Sequence, residues 1–287
     1  MTVLIFLIGL VLGSFLSMVF HRLEVDEAGI TRATKKSSRK KTSQRRRESL
    51  RDAVFGRSRC DHCRKTVAWY DNIPLASFLA LRGRCRHCRK PISHYHPVLE
   101  LSSGLYLLAA YQFFGLSLQL AVAAFFGLVM LLIFAYDLRH EIIPDVIVVP
   151  AIAFALVALV YQSASFIQGG DTQLLFWAAD PASYLVGGLV VGGFFLALSV
   201  LSRGSWIGGG DIKLGVLIGL LLGWPYALIA LFLAYMIGTA VAAALLVGKH
   251  ATLKSNVPFA PMLVSGFLVA AFYGQPILDW YQRLVIP

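Results

Sequence analysis

Apolar stretches of roughly 20 residues, the length that spans about 30 Å of hydrocarbon, recur along this chain. They fall near 2–20, 98–115, 118–136, 146–162, 183–201, 212–223, 225–247 and 259–274. Hydrophobic residues make up 57% of the sequence, against about 45–50% in a soluble globular domain. The expectation is an all-α integral membrane protein with about eight transmembrane helices. The run at 212–223 is short for a crossing and reads as tilted, broken or partly re-entrant.

Charge sets the expected orientation. The formal net charge is +11, and 20 of the 26 Lys and Arg lie between Arg22 and Lys90. Basic residues concentrate in cytoplasmic loops, so the segment 21–97 is placed in the cytoplasm and the N-terminus outside. Eight alternating spans then put Asp137, Arg139, Asp145, Arg203, Asp211, Lys213, Lys249 and Lys254 inside. The loop 163–182, which has no Lys or Arg, falls outside. The first apolar stretch has its positive charges after it and no small-residue cleavage site, so it reads as a retained anchor rather than a removed signal peptide. The expected division is an anchor at 1–20, a cytoplasmic basic and four-cysteine domain at 21–97, and a polytopic membrane domain at 98–287.

All four cysteines lie in that cytoplasmic segment, as Cys60-Asp-His-Cys63 and Cys85-Arg-His-Cys88 with 21 residues between. The spacing is just beyond the usual range for paired zinc knuckles. Four thiolates suit a closed tetrahedral zinc site, and a reducing cytoplasm disfavours disulfides. With no coordination position left for water, the zinc is expected to be structural. His62 and His87 then read as exposed loop residues.

The run from Thr31 to Arg51 is strongly basic. It reads as a solvated linker or as a contact for anionic lipid headgroups beside a membrane span. Nucleic acid is not expected as a partner, because no stacking aromatics interleave with the charges.

Two aspartates stand out. Asp137 ends the third apolar run, and Asp211 follows three glycines at the start of the sixth. A carboxylate at a membrane boundary needs a partner, water or a function. Two on the same side suggest a pair that shares a proton and activates water. Asp211 also reads as the N-cap of the helix that begins there. Asp145, after Pro144, reads as an N-cap or first-turn carboxylate as readily as a member of the site. The glycines Gly208 and Gly210 are expected to supply positive φ and room for a substrate strand. Pro258-Phe-Ala-Pro261 reads as helix-start punctuation or as backbone that holds an extended peptide.

In order along the chain, these elements resemble the prepilin peptidases, the type 4 leader peptidases of the GxGD aspartic protease class. The resemblance begins with Gly13-Ser14-Phe15 and His21-Arg22, where Ser17 falls near a position that is often Asn. It continues through the two CxxC pairs, Asn72-Ile73-Pro74, Arg82-Gly83-Arg84, Pro91-Ile92-Ser93 and Tyr95-His96-Pro97 leading to Glu100-Leu101. It ends with Asp137 and Ile143-Pro144-Asp145, Gly208-x-Gly210-Asp211-x-Lys213, and Pro258-Phe-Ala-Pro261 with Ala260 for Gly.

The resemblance implies an enzyme of the bacterial inner membrane that cuts the leader from type IV prepilins and pseudopilins at the cytoplasmic face. It implies Asp137 and Asp211 as the catalytic pair, with Asp145, Gly208, Gly210 and Lys213 supporting them. It further implies N-methylation of the new N-terminus with S-adenosylmethionine, although no GxGxxG and no βαβ pattern marks a site for that cofactor. The alternatives are a peptidase without methylation, another GxGD intramembrane protease, or a proton- or cation-coupled transporter or assembly scaffold.

Overall fold

The computed structural model describes residues 1–34, 60, 62–63, 65–168, 173–177, 180–248 and 258–285. Residues 35–59 of the basic segment, together with Lys249 and Lys254, lie outside the described residues. The chain divides into two compact units, Met1–Ala109 and Ala110–Pro287.

In the first unit, α1 (Thr2–Thr34) pairs with α3 (Tyr95–Phe114), and the short α2 (Ala76–Ala80) lies in the cysteine-bearing segment between them. The pairing is backbone to backbone. A Cβ added at Gly9 would lie 2.7 Å from the Gly104 Cα, and one at Gly13 would lie 2.7 Å from the Glu100 Cα. Small residues four apart let membrane helices approach this closely. Phe20 stacks on Tyr95 at 5.6 Å where the pair ends.

The second unit holds α4 (Leu118–His140), α5 (Asp145–Ile167), α6 (Pro181–Leu201), α7 (Gly209–Leu222), α8 (Tyr226–Val247) and α9 (Ala260–Val285). Local chemistry sets several of these starts. The Ser117 side chain accepts from the Leu120 N–H, and Asp180 caps α6 just before Pro181, as residues with short polar side chains commonly do.

All eight expected spans fall on helices, and among the described residues no strand interrupts the all-α architecture. Six of the helices are long and apolar enough to cross a membrane: Thr2–Leu23 of α1, and α4, α5, α6, α8 and α9. The chain is a multi-pass membrane protein. Two of the expected spans fall short, for different reasons. Polar residues, among them His96, Glu100, Ser102, Ser103 and Gln112, dilute α3. The 14 residues of α7 rise only about 21 Å. Most of α7 is buried by its neighbours.

Glycines seat α7 against α6. A Cβ at Gly219 would lie 2.3 Å from the Gly187 carbonyl oxygen, and one at Gly192 would lie 2.3 Å from Val216 Cγ2. A similar contact joins α8 and α9, where a Cβ at Gly266 would lie 2.3 Å from the Ala230 carbonyl oxygen.

At the other end of this unit, Leu174–Phe176 is a loop buried among helices. Buried backbone must find partners, and Gln162 supplies them. Its Oε1 accepts from the N–H groups of Leu174 and Leu175 at 3.0 and 3.1 Å. The Tyr184 hydroxyl donates to the Phe176 carbonyl at 2.7 Å, and the Phe176 N–H donates to the Leu221 carbonyl at 3.2 Å. Replacing Gln162 with Leu strands two buried donors, each costing about 1–3 kcal/mol. The Gln162→Leu protein is expected to unfold at a clearly lower temperature in detergent, with the loss readable by thermal denaturation.

Candidate functional site

Asp137 lies in the last turn of α4. That helix stops at Glu141, which takes a left-handed conformation (φ 53°) and donates its N–H to the Asp137 carbonyl at 2.9 Å. The Asp137 side chain is only 5% exposed. Its Oδ2 accepts from the backbone N–H of Ala260 at 3.2 Å. Ala260 opens α9, so this N–H is one of the helix-terminal donors with no partner inside its own helix. Pro258-Phe-Ala-Pro261 is thus helix-start punctuation whose freed donor serves Asp137. The positive end of the α9 dipole favours a carboxylate there.

Asp211 is the third residue of α7, whose N-cap is Gly208. Its carboxylate reaches back to the Gly208 N–H, the N3-to-Ncap half of a capping box. Asp211 is thus a first-turn residue of α7 and not its N-cap, which is Gly208. The charges of the two carboxylates act on each other directly. The end of α4 and the start of α7 thus bring these two residues within electrostatic reach of each other.

The glycines before Asp211 act differently from expectation. Gly208 is ordinary extended backbone (φ −74°, ψ 155°), and neither Gly209 nor Gly210 adopts positive φ. Gly210 is needed for space, since a Cβ there would lie 2.9 Å from Ile143 Cβ. Nothing lies within 4 Å of a Cβ built on Gly209. The run therefore permits close packing on one side and leaves open surface on the other.

Asp145 begins α5 and pairs with Lys213 of α7 at 2.6 Å. These side chains are 63% and 39% exposed. An exposed ion pair adds only about 0–1 kcal/mol, so this one matters for where it ties. It joins the first turn of α5 to α7, beside the contact of Ile143 with Gly210. All four predicted supporting residues thus cluster around the start of α7.

An aromatic group adjoins this end, and the sequence gives no spacing that marks it. Phe259 lies 5.3 Å from Tyr235 and 6.0 Å from Phe195. The charge of Asp211 also acts on the Tyr235 side chain.

In the first unit, Cys60, Cys63, Cys85 and Cys88 come together with all four sulfurs within 4.8 Å of one another. The Cys60 and Cys88 sulfurs are 3.8 Å apart. Zinc–sulfur bonds of about 2.3 Å give a tetrahedron with an edge of about 3.8 Å, so the four residues fit a tetrahedral metal. The two knuckles repeat one turn. Cys60 N–H donates to the Lys65 carbonyl at 3.0 Å, and Cys85 N–H donates to the Lys90 carbonyl at 2.9 Å. The amides of Cys88 and His87 pull the Cys85 thiol down to about 7, while burial pushes Cys60 up to about 11. Four thiolates at this spacing repel one another unless a cation sits among them. His62 and His87 are exposed and stand outside the cluster.

An ion pair that sequence reasoning missed braces this module. Arg86 holds Asp71 through Nε at 2.9 Å and a second nitrogen at 2.7 Å. That contact keeps the Asp71 carboxyl below its ordinary range. The Arg86 guanidinium also lies over the Tyr70 ring at 5.3 Å.

Sequence comparison gives this geometry a family. Residues 7–114 match the bacterial peptidase A24 N-terminal domain, and residues 104–243 match the type IV leader peptidase family. Three similar proteins are each named prepilin leader peptidase/N-methyltransferase. The one from Bacillus subtilis is 30% identical over 81% of this chain and 88% of its own length. The one from Aeromonas hydrophila is 29% identical over 97% and 92%. The one from Burkholderia pseudomallei is 31% identical over 94% and 84%. No solved structure matches. With likeness at this level running through both units and both residue clusters, the chain belongs to the type IV leader peptidase family.

Proposed function

We propose that this protein cuts the leader from type IV prepilins or pseudopilins at the cytoplasmic membrane face, and then N-methylates the new N-terminus. The observation that carries the reading is the convergence of Asp137 and Asp211 at one end of the second unit. The names of the relatives supply the substrate class and the second activity. The positive-inside charge pattern supports the cytoplasmic face.

The chemistry needs one proton shared between two carboxylates. Neighbouring like charges do not both ionise easily, so such a pair holds acid and base forms together. The ionised member takes a proton from water as the water oxygen attacks the scissile carbonyl carbon. The neutral member gives its proton to the carbonyl oxygen. As the tetrahedral intermediate collapses and the C–N bond breaks, the carboxyl that took the water proton gives it to the leaving nitrogen, and the ionised carboxylate takes a hydroxyl proton from the gem-diol. The products are a leader carboxylate and a free amine. Acid and base roles belong to the pair rather than to either residue. The Ala260 N–H keeps Asp137 in place, and the Gly208 N–H does the same for Asp211.

The four cysteines would hold a structural zinc that pins the module. S-adenosylmethionine, as co-substrate, would supply a methyl group to the new amine. Anionic headgroups are the proposed contact of the basic segment 31–51, whose residues 35–51 lie outside the described part of the structure.

Co-expression with a tagged prepilin in a host lacking its own peptidase tests this reading by intact mass. The native protein should remove the leader and add one methyl mass. Asp137→Asn and Asp211→Asn should each cut at least about 10²-fold more slowly. Wild-type cutting by either variant would exclude the pair. Breaking the Lys213–Asp145 tie with Lys213→Ala should slow cutting by up to about fivefold, the factor worth roughly 1 kcal/mol. The exchanged pair Lys213→Asp with Asp145→Lys should recover part of that loss. Cys60→Ser should lower bound zinc, measured by elemental analysis, and remove the methyl mass while leaving the leader cut. Since protons compete with metal for thiolates, zinc should be released as pH falls.

A further inference from the structure

Glu100 has no part in the chemistry above, yet it is a carboxylate only 8% exposed in the second turn of α3. A buried charge persists only with partners. Glu100 has two, both within the first unit. Its Oε2 accepts from the Leu75 N–H at 2.8 Å, and the Ser14 side chain of α1 hydrogen-bonds to it. The second contact depends on the absent side chain of Gly13, which lets α1 lie directly on Glu100.

Leu75 is an unusual place to take hold. It is the N-cap of α2, with φ 55° and ψ −45° and no side-chain cap. Such a conformation in a non-glycine residue survives only when its surroundings impose it. The Glu100 carboxylate meets an amide at the start of α2, much as a capping side chain would.

From Leu75 the chain runs through α2 into the second cysteine knuckle by a series of tight bonds. Gly83 N–H donates to the Phe78 carbonyl at 2.8 Å, and Arg84 N–H donates to the Leu81 carbonyl at 3.1 Å. The bidentate Asp71–Arg86 pair closes the same stretch into a ring. Phe78 also meets His94 edge-on at 6.0 Å. The Leu75 amide is therefore a point at which a side chain of α3 directly holds the ring between Asp71 and Arg86.

We propose that Glu100 is a positioning residue that holds the cysteine module in register with α3, and that methylation depends on it while leader cleavage does not. The second half rests on the methyltransferase reading above. What Glu100 contributes is an acceptor oxygen, so an amide at the same position serves nearly as well.

The test uses the full-length protein in detergent with three versions: wild type, Glu100→Gln and Glu100→Ala. Hydrogen exchange at residues 75–81, zinc content and the mass of processed prepilin are measured on each. Expected for Glu100→Ala is faster exchange at 75–81, retained zinc, cleavage within about twofold of wild type, and a methylated fraction at least tenfold lower. Glu100→Gln should match wild type in all of these. Unchanged exchange in Glu100→Ala overturns the proposal. So does a loss of cleavage as large as the loss of methylation, or a Glu100→Gln protein as impaired as Glu100→Ala. A wild type that cuts but never methylates overturns the methylation half through its parent reading, and the exchange data then decide the docking half alone.

Discussion

A buried carboxylate held by the first free amide of another helix is the constraint around which the second unit is arranged. Asp137 can stay in its 5%-exposed position because the Ala260 N–H meets it. That donor exists because a helix start leaves amides unused. The start of α9 must therefore stand against the end of α4, and the start of α7 brings Asp211 within electrostatic reach of Asp137. Three helix ends are drawn to one place by the need to accommodate charge away from bulk water. The Lys213–Asp145 pair then ties a fourth, the start of α5, at the exposed margin.

The helices were legible because each apolar run is long and bounded by polar residues or by Pro and Gly. The two exceptions are instructive. The length of α7 was visible as a short run, but its burial among other helices depends on partners far along the chain. In α3 the apolar run was plain, while the weight of its polar residues shows only when the whole helix is counted. The buried loop Leu174–Phe176 had no sequence sign. Its apolar residues look like part of an exterior connection, and Gln162 looks like an ordinary residue near the end of a span.

The site was legible as residue types and less so as contacts. The places of Asp137 and Asp211 at helix ends and the gathering of the four cysteines could be read from spacing and order. The reason for Gly210 could not. Its motif suggested backbone freedom, whereas the structure uses its missing side chain to admit Ile143. Neither the Ala260 amide nor the Asp71–Arg86 pair had a local pattern, because each contact joins segments whose proximity is a product of folding.

The glycine seam between α6 and α7 has one more consequence. With Gly219 set against the Gly187 carbonyl, the two backbones interlock like a key in its slot. A rod seated in this way has little freedom to slide or turn on its axis. Asp211 sits at the tip of that rod, so the aim of its carboxylate is calibrated from two helical turns away, by atoms that are not there.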